Sequence, residues 1–242
     1  MQIVFGDLKP VDILAIGVHP DDIELCCCGT VLSHISQGYK VGYCDLTQGE
    51  MGTRGTNELR LHESREAAKL AGVEFRVNLG MEDAFFAHNQ ANILSIAKVV
   101  RLSNAKVVLA NAVHDRHPDH GRASKLISDA CFYSGLAKIE IVGTVAHRPD
   151  AVYHYIQDRN LKADFVVDIS NFIKEKMACI QCFSSQFYDP NSEEPNTPIS
   201  GQDFMHYIES KQLSYARETG AEYAEGFNVE RVPAIKNLFD LY

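Results

Sequence analysis

The 242-residue sequence predicts an α/β fold, a Rossmann-like and mainly parallel sheet with helices on both faces and a C-terminal elaboration. Two observations predict it. Short, nearly continuous apolar runs alternate with segments of helical length, and several of those segments close at a glycine. The alternation holds for four successive pairs, the pattern of βαβ units whose crossover helices cover both faces of a parallel sheet.

Val11 to Val18 (VDILAIGV) reads as the first strand, apolar throughout because both of its faces are covered. A helix is predicted from Asp22 to Gln37, stopping at Gly38, and Lys40 to Leu46 (KVGYCDL) is the next strand. Asn57 caps the helix NELRLHESREAAKLAG, which closes at Gly72. Strand Val73–Leu79, helix Asn89–Ser103 and strand Lys106–Ala110 follow, and the motif HPDHGRAS leads into a helix ending near Ser134. Beyond it the pattern loosens. AVYHYI (Ala151–Ile156) and DFVVDI (Asp164–Ile169) read as strands, and Ser170–Ser185 and Gln202–Glu218 as helices. The Pro-, Ser- and Asn-rich stretch DPNSEEPNTPISG (189–201) reads as a mobile loop. No repeat or linker divides the chain, which predicts one domain over residues 1–242.

Hydrophobic residues make up 45% and charged residues 23%, the proportions of a soluble globular protein. No apolar run approaches the roughly 18 residues that span a membrane, and the N-terminus lacks the pattern of a signal peptide, so a cytoplasmic protein with no membrane partner is expected. A net charge of −9, with Lys and Arg scattered, disfavours nucleic acid. Seven cysteines without a repeated spacing argue against a disulfide framework. Cys26, Cys27 and Cys28 point about 100° apart on a helix and read as small buried hydrophobes rather than a metal site. Cys179 and Cys182 form C-x-x-C, yet within a helix and without a thioredoxin-like context.

The chemistry gathers at two turns. A dinucleotide-binding turn after the first strand carries glycines for a pyrophosphate. Here it reads Gly17-Val18-His19-Pro20-Asp21-Asp22, whose carboxylates repel phosphate and suit a cation. His19 and Asp22 straddle the strand-to-helix turn and offer imidazole and carboxylate, both standard zinc donors. Asp21 falls beside the metal, placed to take a proton from water. The plainer alternative, a helix-capping Asp, explains one of the two carboxylates only. The second turn, His114 to His120 (HDRHPDH), follows the strand KVVLA. In a 3-2-1-4 sheet the carboxyl ends of strands one and four flank the topological switch point, so the two clusters face each other. His120 then supplies the third ligand. His117 hydrogen-bonds an oxyanion or protonates a leaving amine, and Asp119 orients an imidazole.

HPDD after the first strand with HPDH later resembles the PIG-L/LmbE-like zinc deacetylases, which remove acetyl groups from N-acetylglucosamine conjugates. The stretches VDILAIGVHPDDIELCCCGT, GYKVGYCDLTQGEMGTRGT and YARETGAEYAEGF look like the bacillithiol-biosynthesis branch, which deacetylates N-acetylglucosaminyl malate. The resemblance implies one zinc ion per chain on His19, Asp22 and His120, with Asp21 as general base. It implies His117 as oxyanion stabiliser or acid with Asp119 behind it, and Arg54 and Arg116 as substrate contacts. It also implies a small glycoconjugate substrate and a homo-oligomer, a trimer or hexamer. The chain departs from the family at Cys26-Cys27-Cys28, where small or apolar residues, often Gly, are common, and at the long 189–201 loop. Competing readings are an amidase of the same family acting on a thiol conjugate, a nucleotide-dependent enzyme, and a non-catalytic metal-binding protein. The GVHPDD turn disfavours the second, and the spare Asp21 and His117 disfavour the third.

Overall fold

The computed structural model describes residues 1–241 and has one eight-stranded sheet, ordered β1-β4-β3-β2-β5-β6-β8-β7. Its centre is the expected α/β pattern. Strands β2 (Ile13–Gly17), β3 (Val41–Thr47), β4 (Phe75–Met81), β5 (Val107–Ala110) and β6 (Ala151–Tyr155) run parallel. The 3-2-1-4 arrangement holds, with β2 paired to β3 on one side and to β5 on the other. Every residue of β2 and β3 is buried, as their unbroken apolar character requires.

One core layer packs Leu14, Ile16, Val77 and Val108 against Ile96 and Val100 of helix α4 (Gln90–Ser103) and Leu126 and Ile127 of α5 (Pro118–Ser134). The other packs Ile13, Ala15, Val41 and Tyr43 against α1 (Asp22–Cys26), α2 (Cys28–Ser36), α3 (Asn57–Ala71) and α6 (Ile173–Gln181). Helix α7 (Gln202–Ala216) flanks the C-terminal strands β7 (Phe165–Asp168) and β8 (Ala224–Val229). The caps are local. Thr56 Oγ1 accepts from Leu59 N at the start of α3, and Gly72 ends it at φ 75°, a left-handed conformation that glycine adopts without strain.

Five features differ from expectation. Strand β1 (Gln2–Gly6) adds an antiparallel edge to β4, and β8 inserts antiparallel between β6 and β7; neither was anticipated. The predicted 170–185 helix is a 3₁₀ turn followed by α6, and α7 ends at Ala216. The predicted helix 22–37 is two helices, broken at Cys27 (φ −140°, ψ 11°). The break has a physical reason. It frees the first amides of α2, and Gly29 N and Thr30 N donate to the carboxylate of Glu225 on β8, at 3.0 and 2.7 Å. A Cβ on Gly29 would lie 2.7 Å from Ile169, so only glycine lets α2 approach this closely.

Candidate metal centre

Strand β2 delivers His19-Pro20-Asp21-Asp22 to the carboxyl edge of the sheet, and β5 delivers His114 to His120 beside it. Helix α5 starts in an unusual way. Pro118 occupies its first turn, and His117 is its cap, with Nδ1 accepting from Asp119 N at 3.3 Å. Burial, followed by the charges of His19 and His120, holds His117 below the ordinary imidazole range. A neutral ring that accepts at Nδ1 carries its proton on Nε2, so His117 is a donor.

Asp22 anchors the turn. Its Oδ2 accepts from Val18 N (2.9 Å), His19 N (3.0 Å) and Asn111 Nδ2 (2.9 Å), and its Oδ1 from Gln157 Nε2 (3.0 Å). Burial opposes the ionised form, but His120 and these neighbours hold the carboxyl well below the usual range. Both ligand-type imidazoles turn a ring nitrogen toward it. His120 Nε2 lies 3.2 Å from Asp22 Oδ1, and His19 Nδ1 lies 3.9 Å from Asp22 Oδ2. Each opposite nitrogen is taken by a carboxylate, His120 Nδ1 by Asp115 Oδ2 at 2.5 Å and His19 Nε2 by Asp83 Oδ1 at 3.1 Å. A carboxylate only accepts, so without a cation each ring donates on both sides, and a metal that takes the nitrogen facing Asp22 leaves the proton on the far nitrogen with Asp115 or Asp83.

The donor atoms of His19, His117 and His120 lie within 4.8 Å of one another, and so do those of His19, Asp83 and Asp119. Among the described residues, the five carboxylates Asp21, Asp22, Asp83, Asp115 and Asp119 meet two guanidiniums, Arg60 on Asp21 (3.2 Å) and Arg122 on Asp119. The deficit shows in the imidazoles. Burial disfavours their charged forms, yet Asp119, Asp83 and Asp22 raise His19 to about 10, and Asp22 and Asp115 raise His120 to about 9. Asp115 and Asp119 fall to about 2, where hydrogen bonds from His120 and His19 outweigh burial. A divalent cation answers the same charge deficit, and nitrogen and carboxylate oxygen are donors it accepts, so the residues fit a metal.

Asp21 is the N-cap residue of α1 but its carboxylate makes no capping bond; it pairs instead with the buried Arg60, whose Nη1 also donates to Gly49 O at 2.9 Å. Together with His19, Asp22, His117 and His120, Asp21 and Arg60 line a cavity of about 320 Å³, ample for a small molecule. Asp119 is fully buried; its Oδ2 accepts from Ala84 N and lies 3.5 Å from His19 Nε2. Arg116 lies on the cavity wall, 52% exposed and paired with Asp158. Arg54 is not on that wall. It is 4% exposed and points under the 189–201 loop, donating to Ser192 Oγ, while Glu194 accepts from Gly55 N. The loop itself reaches the cavity through Thr197, Pro198 and Ile199. Sequence reasoning did not assign Asp83, Asn111, Asp115, Gln157 or Arg60. Asp115 alone had a signal, as a member of the HDRHPDH cluster.

An open α/β sheet with a histidine–carboxylate cluster at its carboxyl edge has the layout of a Rossmann-like enzyme with a metal-binding site. Comparison narrows this. A family model described as PIG-L, GlcNAc-PI de-N-acetylase, matches residues 14–131. Diacetylchitobiose deacetylase of Thermococcus kodakarensis is 30% identical, covering 96% of this chain and 86% of that protein. A conserved protein of Thermus thermophilus superposes with a TM-score of 0.85 at 33% identity, covering 95% of this chain and 98% of that one. A probable N-acetyl-alpha-D-glucosaminyl L-malate deacetylase 2 of Bacillus anthracis is 23% identical, over 72% of this chain and 81% of that protein. The chain belongs to the PIG-L deacetylase family. It is a metal-dependent N-deacetylase, a hydrolase of amide bonds. Among the described residues, no helix is long and apolar enough to cross a membrane.

Proposed function

We propose that the chain removes the acetyl group from an N-acetylglucosamine conjugate, N-acetylglucosaminyl malate being the finer reading, with one zinc ion on His19, Asp22 and His120. The observation that carries this is the pair of imidazole nitrogens turned toward the Asp22 carboxylate, with Asp21 and His117 beside them at the cavity. A zinc ion held by His19, Asp22 and His120 would supply a Lewis acid for the amide carbonyl and lower the pKa of a bound water toward about 7. Asp21 takes the proton of the attacking water, and Arg60, 3.2 Å away, holds its carboxylate at the cavity. His117 donates its Nε2 proton to the developing oxyanion, a contact stronger in the transition state than in the bound amide. The departing amine collects from Asp21 the proton that Asp21 took from the water, since His117, neutral with Nδ1 engaged, has only the Nε2 proton it donates to the oxyanion. Asp119, which accepts hydrogen bonds from Ala84 N and Arg122, supports His19.

The malate reading leans on Arg116, since Arg54 lies behind the wall. The Thermococcus relative supports a second reading, a different N-acetylglucosamine conjugate at the same centre. The test joins metal analysis with amine release from N-acetylglucosaminyl malate, diacetylchitobiose and free N-acetylglucosamine. One zinc per chain and release of amine are expected. Asp21→Asn should keep the metal and lose roughly 10²–10⁴-fold in kcat, the usual worth of a general base. Loss of metal in that variant would exchange the roles of Asp21 and Asp22. A preference for diacetylchitobiose would replace malate by the second reading.

A further inference from the structure

Two buried lysines stand behind or beside the cavity, and only one has a counter-charge. Lys176 of α6 is wholly buried, and its Nζ donates to Glu225 Oε1 at 2.5 Å and to Leu25 O at 2.8 Å. Lys211 of α7 is 8% exposed and lines the cavity. Its Nζ donates to the carbonyl of Ile156 at 3.3 Å, and among the described residues no carboxylate forms an ion pair with it. An ammonium has three donors, so two are unspent. A buried charge left without a partner is costly to keep, and burial accordingly holds Lys211 below the ordinary lysine range. The next residue, Gln212, also lines the cavity, and its amide makes no hydrogen bond among the described residues.

The helix pattern explains why these groups meet the cavity. Phe204, Tyr207, Ile208, Lys211 and Gln212 recur at spacings of three and four, one face of α7, and all five line the cavity wall. The nearby acid, Asp158, is engaged by Arg116, and the carbonyl of Asp158 accepts from Tyr207. The wall of α7 therefore offers a cation and an amide with spare donors, in a cavity whose other side is dense in carboxylates. A ligand that carries its own negative charge fits the first and is repelled by the second, which fixes its orientation.

We propose that Lys211, with the Gln212 amide, binds a carboxylate on the aglycone, making the enzyme selective for N-acetylglucosamine conjugates of organic acids over neutral ones. This rests on the deacetylase reading above and assigns the recognition of the leaving part to α7 rather than to Arg54. The experiment compares kcat/KM for an N-acetylglucosaminyl 2-hydroxy acid and for methyl N-acetylglucosaminide in the wild type, Lys211→Met and Lys211→Arg. Calorimetry of the two amine products gives binding without turnover. The wild type should prefer the acid conjugate. Lys211→Met should lower the ratio of the two kcat/KM values by about tenfold to a hundredfold, through KM, as loss of a charge-assisted hydrogen bond implies. Lys211→Arg should restore most of the ratio. The Tm of Lys211→Met should not fall, because removing an unpaired buried charge relieves the fold, whereas a structural ammonium would leave a less stable protein. An unchanged ratio, or equal losses on both conjugates with a lowered Tm, would overturn the assignment. Should neither conjugate be turned over while Lys211-dependent binding of the acid product persists, the subsite stands and the deacetylation reading falls.

Discussion

Asp115 and Asp83 hold the two imidazoles from behind, and they decide which ring nitrogens a metal meets. A carboxylate on the far nitrogen fixes the tautomer and raises the basicity of the ligating one. Asp115→Asn should therefore keep the fold and lower metal affinity about 10- to 100-fold. A competitive chelator titration reads this, and an unchanged affinity would show that His120 orients itself. The residues that touch the cavity were largely legible, because HPDD and HPDH announce themselves by composition at two strand ends. Their supports were not. Asp83 stands after β4 with nothing in its neighbours to mark it, and Asn111 and Gln157 are amides whose role exists only where β5 and β6 lie side by side. Arg54 shows the reverse. Its place in GEMGTRGT matched a substrate contact, but the length of the 189–201 loop gives its guanidinium another partner.

Between elements, the site is braced by a buried ion cluster. Arg76 on β4 is fully buried, and its Nε and Nη2 donate to Asp45 of β3 at 2.7 and 2.8 Å. Its Nη1 reaches Glu24 of α1 at 2.6 Å, two residues from Asp22, and Ser64 O of α3 at 3.2 Å. One guanidinium thus ties two strands to the helices that carry Asp22 and Arg60. Arg76→Met would leave two carboxylates buried without their cation, and should cost about 3–5 kcal/mol in urea unfolding at neutral pH. A cost near zero would mean that the acids take up protons without strain. At this scale the parallel centre was legible because strands buried on both faces read as apolar runs. The edges were not. QIVFG of β1 and AEGFNV of β8 are short and mixed, and each is a strand only because a neighbour pairs with it. Nor could the run of helical residues 22–37 reveal the break at Cys27, whose cause, Glu225, lies almost two hundred residues away.

For the molecule as a whole, the surplus of carboxylate at the centre links metal, proton and stability. Without a cation, His19 and His120 titrate near 10 and 9 instead of the ordinary 6.5. A raised folded-state value stabilises the protein fully below about 6.5, and the contribution is lost as pH rises through 9 to 10. Asp115 and Asp119, lowered to about 2 from 3.8, act in the opposite sense. Their contribution is complete above the unfolded value and lost as pH falls through about 2. The metal-free protein should therefore be most stable between these windows and weaken toward alkaline pH. Metal reverses the alkaline limb, because it binds the neutral rings and displaces their protons. Loading at pH 7 should release about two protons per zinc, one from each imidazole, and affinity should climb about a hundredfold per pH unit up to pH 8. Calorimetry in buffers of different ionisation enthalpy counts those protons directly. A count of two ties the acid-rich shell to metal capture. A count of zero would mean that His19 and His120 are already neutral in the metal-free protein, and that Asp83 and Asp115 orient the rings without charging them.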